Sequence, residues 1–90
     1  MSGIDIYREH HLDTEQQHLA LDDLHAYLTE FGARTRRERD SIHFSGPGYE
    51  GEVSVNDREV VGNIRLGLLA RPFRRQLEAE ILRHLDARLG

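Results

Sequence analysis

Two rhythms of apolar and polar residues run along this chain, and the places where one gives way to the other mark its elements. Ile4 and Ile6 alternate with Asp5 and Tyr7, which predicts a short opening strand through about Arg8. The rhythm then lengthens. Leu21, Leu24, Leu28 and Phe31 recur at spacings of three and four, with Ala20 and Tyr27 widening the stripe. Asp13 offers a carboxylate to the free N–H groups of a helix start, and Gln16 stands three residues on, in capping-box position. Glu15 suits the positive end of the helix dipole. Gly32 is the expected stop, since glycine enters the left-handed region without strain. The pattern predicts a helix from Asp13 to Phe31 with one buried face.

Period two returns after Asp40 and Ser41, which suggest a turn or a strand bend. Ile42 and Phe44 alternate with Ser41 and His43, and Gly46-Pro47-Gly48 breaks that strand. Gly51, Val53 and Val55 share one face of the next strand, and Asn56-Asp57 offers a tight hairpin turn. Its partner places Val60, Gly62, Ile64, Leu66 and Leu68 on a single face. Phe73, Leu77, Ile81, Leu82, Leu85 and Leu89 then form the stripe of a closing helix. Pro72 suits its first turn, where the missing N–H would be unpaired anyway. The order is β-α-β-β-β-α, a single α+β domain over residues 1–90: a four-stranded, mainly antiparallel sheet packed against two helices. The opposite sheet face would carry Tyr49 or Val61, Asn63 and Arg65.

A chain of 90 residues supports one modest core, so covering a further face by self-association would help, and a homodimer is expected. Cysteine is absent, which removes disulfides, thiolate metal sites and cysteine nucleophiles. The opening residues Met1 to Asp5 lack the basic and apolar regions of a signal peptide, and no apolar run is long enough to span a bilayer. These features lead to the expectation of a cytoplasmic protein. The net charge of −4 argues against a dedicated nucleic-acid partner. Arg34, Arg36, Arg37 and Arg39 are the local exception. In an extended stretch they point to both sides, which suits a solvated strand end better than a phosphate-tracking surface.

Histidine is the one residue type that hints at a site. His18 and His25 lie on the first helix with Asp22 between them, a set able to hold a divalent metal. This face is offset from the leucine stripe, where polar residues belong anyway, so a solvated face is expected and no metal. His10-His11 falls in a loop, with one ring able to cap or pack. Ser41, Ser45 and Ser54 lack a nucleophile elbow, and Gly46-Pro47-Gly48 is too short to cradle a phosphate. No active site assembles from these elements, and neither an enzymatic function nor a cofactor is expected.

The remaining feature is the junction Leu66-Gly67-Leu68-Leu69-Ala70-Arg71-Pro72-Phe73, where strand gives way to helix. Leu69 breaks the alternation of its strand. Leu68, Leu69, Phe73 and Leu77 are therefore the candidate partner- or ligand-binding residues. The closing helix also has a rival reading as a surface-seeking segment, flanked by Arg74, Arg75, Arg83 and Arg88, although Glu78, Glu80 and Asp86 share its polar face.

Several local sequences follow one another along the chain in a telling order and spacing: Ile4-Asp5-Ile6 leading to His11-Leu12, Phe31-Gly32, Asp40-Ser41-Ile42-His43-Phe44, and Gly46-Pro47-Gly48 followed by Gly51. Leu66-Gly67-Leu68-Leu69, Pro72-Phe73 and Leu85-Asp86 complete the set. Together they resemble the small polyhydroxyalkanoic acid system (granule-region) proteins of Gram-negative bacteria. Tyr49 departs from that pattern, standing where a smaller aliphatic residue is expected. The resemblance implies a link to intracellular polyester storage granules and carries no catalytic residues. The expectation is a non-enzymatic accessory protein that meets polyester granules or granule proteins through apolar surface at the junction. The alternative is a small apolar-ligand-binding module, with a cavity between sheet and closing helix opened by Gly51, Gly62 and Gly67.

Overall fold

A computed structural model describes residues 2–89, with the backbone alone for Ser2, Arg88 and Leu89. The side chains of Leu89, expected in the second stripe, and Arg88, expected on its flank, thus lie outside the described residues. The elements are β1 (Ser2–Glu9), α1 (Thr14–Phe31), β2 (Arg34–Arg37), β3 (Ser41–Gly46), β4 (Tyr49–Val55), β5 (Glu59–Leu66), a 3-10 turn (Arg71–Phe73) and α2 (Arg74–Leu89). One sheet holds the strands in the order β1-β5-β4-β3-β2, every pair antiparallel. Both helices cover one face of it, so the molecule is a two-layer α+β domain.

The first helix starts and stops where its sequence dictates. Asp13 accepts from the Gln16 N–H at 2.8 Å while the Gln16 side chain accepts from the Asp13 N–H at 3.2 Å. Gly32 closes the helix at φ 100°, passing its N–H to the carbonyls of Leu28 and Thr29. Leu21, Leu24 and Leu28 meet Ile4, Ile6, Ile42, Val53, Val60 and Ile64 from the sheet, and Leu77, Ile81 and Leu85 complete the core from α2. Phe31, the last residue of the predicted stripe, is instead largely exposed.

The sheet has five strands rather than four, and the order is β-α-β-β-β-β-α. The missing strand is β2, whose sequence Arg-Thr-Arg-Arg carries no apolar residue to betray it. It is held by a polar seam. The His18 ring lies 3.3 Å from Asp40, Arg37 Nε donates to Asp22 at 3.3 Å, and His25 meets the Thr35 hydroxyl at 2.9 Å. The helix face expected to be solvated is therefore the docking face for the edge strand. Two smaller differences concern the strand ends. The hairpin between β4 and β5 is a three-residue loop in which the Asn56 side chain accepts from the N–H groups of Arg58 and Glu59, both at 2.9 Å. Leu68 lies beyond the end of β5, outside the alternating face assigned to it.

Tyr49 sits on the helix-covered side, opposite Leu66 and Gly46, and not on the bare face. Its ring fills the place a side chain at Gly46 would occupy and meets Phe31 edge-on at 6.0 Å. Gly46 thus makes room for an aromatic ring where a smaller aliphatic residue was expected. No helix among the described residues is long and apolar enough to cross a membrane.

Candidate functional site

The turn that joins β5 to α2 is seated on the hairpin between β3 and β4. Gly67 N–H donates to the Gly48 carbonyl at 2.6 Å, and Ala70 and Arg71 N–H groups both return to the Gly67 carbonyl at 3.2 Å. Gly48 takes φ 81° and lies so close to the turn that a Cβ there would stand 3.1 Å from the Leu69 Cβ. Ala70 is the apolar residue of the turn that points inward, at 7% exposure. The consequence is geometric. With Ala70 anchored in the core, Leu68 and Leu69 point away from it, at 79% and 75% exposure, and Phe73 follows at 56%. These are the three most exposed large apolar side chains among the described residues.

Of the four junction residues singled out from sequence, three are thus held together in solvent. Leu77 is not one of them. At 4% exposure it belongs to the core, where the helical spacing Leu77, Ile81, Leu85 also puts it. Phe73 drops out of that stripe because it ends a 3-10 turn, Arg71–Phe73, that precedes α2 proper.

The space expected from missing side chains at Gly51, Gly62 and Gly67 is already occupied. A Cβ at Gly51 would stand 2.8 Å from both Ile64 and Phe44, and one at Gly62 would stand 3.2 Å from Ile6 and Val53. Gly67 faces the backbone of Gly48. These glycines bring neighbouring side chains and backbone close.

The sheet face away from the helices is charged, and its charges largely answer one another. An open groove of about 540 Å³ crosses it, lined by Arg34, Arg36, His43, Glu50, Glu52 and Arg65 among others. Arg65 pairs with Glu50, Arg36 with Glu38, and the His43 ring lies 3.6 Å from both Glu38 and Glu52. Tyr7 and Val61 face each other across β1 and β5 on this side. The Tyr7 hydroxyl is pushed above its ordinary range by the Glu59 carboxylate beside it. Arg34 is the groove arginine that no ion pair engages among the described residues.

The histidines divide clearly. His18 and His25 serve the seam to β2 described above, and no group of three or more His, Cys, Asp or Glu able to hold a metal occurs among the described residues. His10 is 4% exposed and bonded at both ring nitrogens: Leu12 N–H donates to Nδ1 at 3.0 Å, so Nε2–H donates to the Asn56 carbonyl at 2.6 Å. It pins the loop before α1 to the hairpin between β4 and β5. Gln17 supports the same loop, donating to the Leu12 carbonyl at 3.0 Å. Ser54 donates to Glu52 at 3.1 Å on the bare face.

Sequence reasoning singled out the junction and weighed Arg74 and Arg75 as flanks of the closing helix, but did not join them to Arg71 and the leucines. From Val60 to Leu77 the chain has no carboxylate, yet it carries Arg65, Arg71, Arg74 and Arg75. That run was visible in the sequence, and only the exposure of the leucines gives it meaning.

No curated protein matches the chain. A family model does, over residues 4–89, which span every element described above. The chain belongs to the family described as putative polyhydroxyalkanoic acid system protein.

Proposed function

We propose that this protein is a non-enzymatic accessory of polyhydroxyalkanoate storage, attaching in the cytoplasm to storage granules or their proteins through Leu68, Leu69 and Phe73. One observation carries the reading: the three most exposed large apolar side chains among the described residues all lie on one short turn, held outward by the burial of Ala70. Covering each of them is worth roughly 1.5–3 kcal/mol, so one turn supplies enough for attachment without any change in the fold. Family membership supplies the setting. The ligand-cavity alternative has less support, because the glycines on which it relied are filled by Phe44, Ile64, Ile6 and Val53.

The test is co-sedimentation with isolated polyester granules, comparing wild type with Leu69→Asp. Wild type is expected in the pellet and the variant in the supernatant. Absence of both from the pellet removes the reading, and equal pelleting moves the contact away from the tip. Homodimerisation belongs to the same proposal. Its interface is expected away from the outer edge of β1, where Arg74 Nε donates to the Gly3 carbonyl at 3.2 Å and an Arg8 N–H to the Tyr7 carbonyl at 3.0 Å. Sedimentation velocity gives the oligomeric state directly.

A further inference from the structure

The apolar tip is ringed by one sign of charge. Arg71, Arg74 and Arg75, which flank Phe73 in the chain, are all exposed. Glu50 is paired with Arg65 and Arg74 leans on the Gly3 carbonyl, whereas no ion pair engages Arg71 or Arg75 among the described residues. Glu78, the first carboxylate after Glu59, lies a full helical turn beyond Arg74. The whole chain is net acidic, so this concentration of arginine runs against its average.

It also runs against the local rule for helices. Cations are disfavoured at a helix N-terminus, where the unpaired N–H groups already concentrate positive charge. The first helix obeys that rule with Asp13 and Glu15, whereas α2 has no acidic residue in its first turn and opens on Arg74-Arg75. A choice that costs local stability is expected where the residues serve something outside the fold. Side chains as exposed as Leu68 and Leu69 on a turn form a projection and not a groove. A projection of leucine and phenylalanine rimmed by arginine matches a soft boundary that is apolar below and anionic at its surface. Arginine is long enough to stay at the charged layer while its neighbours sink.

We propose that residues 67–75 form an interfacial anchor for an anionic phospholipid surface, in which Leu68, Leu69 and Phe73 enter the acyl boundary while Arg71 and Arg75 pair with headgroup phosphates. The inference rests on the same exposed tip as the functional reading above and adds the charge of what the tip meets. Each arginine near such a surface strengthens partitioning about fivefold, so the pair contributes about 25-fold at low salt. Burial of the two leucines contributes about a hundredfold.

The experiment is flotation of the full chain with vesicles of phosphatidylcholine alone, vesicles of phosphatidylcholine mixed with phosphatidylglycerol, and lipid-free polyester particles. Wild type is compared with Arg71→Gln/Arg75→Gln and with Leu68→Ser/Leu69→Ser, circular dichroism confirming that each folds. The expected result is binding to the phosphatidylglycerol vesicles that weakens with salt. The arginine variant should fall by about 25-fold and the leucine variant by about a hundredfold. Equal binding to both vesicle types, or full binding by the arginine variant, overturns the anchor. Binding to polyester particles without binding to anionic vesicles overturns it while leaving the granule reading intact. Binding to anionic vesicles sustains the anchor and binding to none of the three overturns it, while the granule reading stands or falls on co-sedimentation with isolated granules.

Discussion

The two ends of the sheet are built on opposite terms. At the end holding the β4–β5 hairpin, polar groups are answered: buried His10 is bonded at both ring nitrogens, buried Gln17 holds the Leu12 carbonyl, and exposed Asp13 caps α1. At the end holding the β3–β4 hairpin, Leu68, Leu69 and Phe73 stand in solvent among arginines, and the turn leading into α2 has no side-chain cap. The first end spends its side chains on holding the fold together. The second keeps its backbone anchored through Gly48 and Gly67 while leaving its side chains out of the packing. A stability argument explains His10, Asp13, Gln17 and Asn56 at one end and very few of the side chains at the other. That asymmetry is why the tip, and not the histidines, is the place to look for function.

Mutations should separate the ends sharply. His10→Ala is expected to have the largest effect, since it strands the Asn56 carbonyl and the Leu12 N–H in a nearly closed environment. A loss of about 2–4 kcal/mol in urea unfolding is expected, and an unchanged midpoint would mean that this end is not a structural lock. Gly48→Ala tests whether the tip backbone is as firmly anchored as its side chains are free. The φ of 81° and the contact with Leu69 lead to a loss of about 1–2 kcal/mol. Asp13→Ala removes one half of the capping box and should cost about 1 kcal/mol. Thermal melts that place Asp13→Ala below Gly48→Ala in stability would reverse the ranking argued here.

Leu68→Ser/Leu69→Ser should change stability by less than about 0.5 kcal/mol, because neither side chain is packed. A drop comparable to that of His10→Ala would show the leucines to be core residues and dissolve the contrast. The smallest effect concerns tyrosine. Burial, and then the Glu80 carboxylate, push the Tyr27 hydroxyl above its ordinary value of 10.0, and burial does the same for Tyr49. The folded state therefore holds these protons more tightly than the unfolded chain. The sign follows: the contribution of these two groups to stability is fully present below pH 10 and is lost as pH rises through the raised values. Absorbance titration near 295 nm together with unfolding at alkaline pH checks it, and rising stability above pH 10 would contradict it.

Local chemistry was enough to place both helices, four strands and their turns. A capping box, a left-handed glycine and an alternation of valine with polar residues act between near neighbours, so they read the same in a peptide as in the domain. It also drew attention to Leu68, Leu69 and Phe73. The rest needed the third dimension. The edge strand β2 contains no apolar residue, and it pairs with β3 while His18, Asp22 and His25 on α1 reach Asp40, Arg37 and Thr35 on and just beyond it. Those same three residues spell a metal site when read along the helix, and only the position of β2 shows what they hold. Leu77 and Phe73 fall on one periodic stripe, yet one is sealed in the core and the other is exposed. The reason is that periodicity records which residues share a face, whereas burial depends on what arrives opposite that face. At the tip, nothing else among the described residues arrives to cover it.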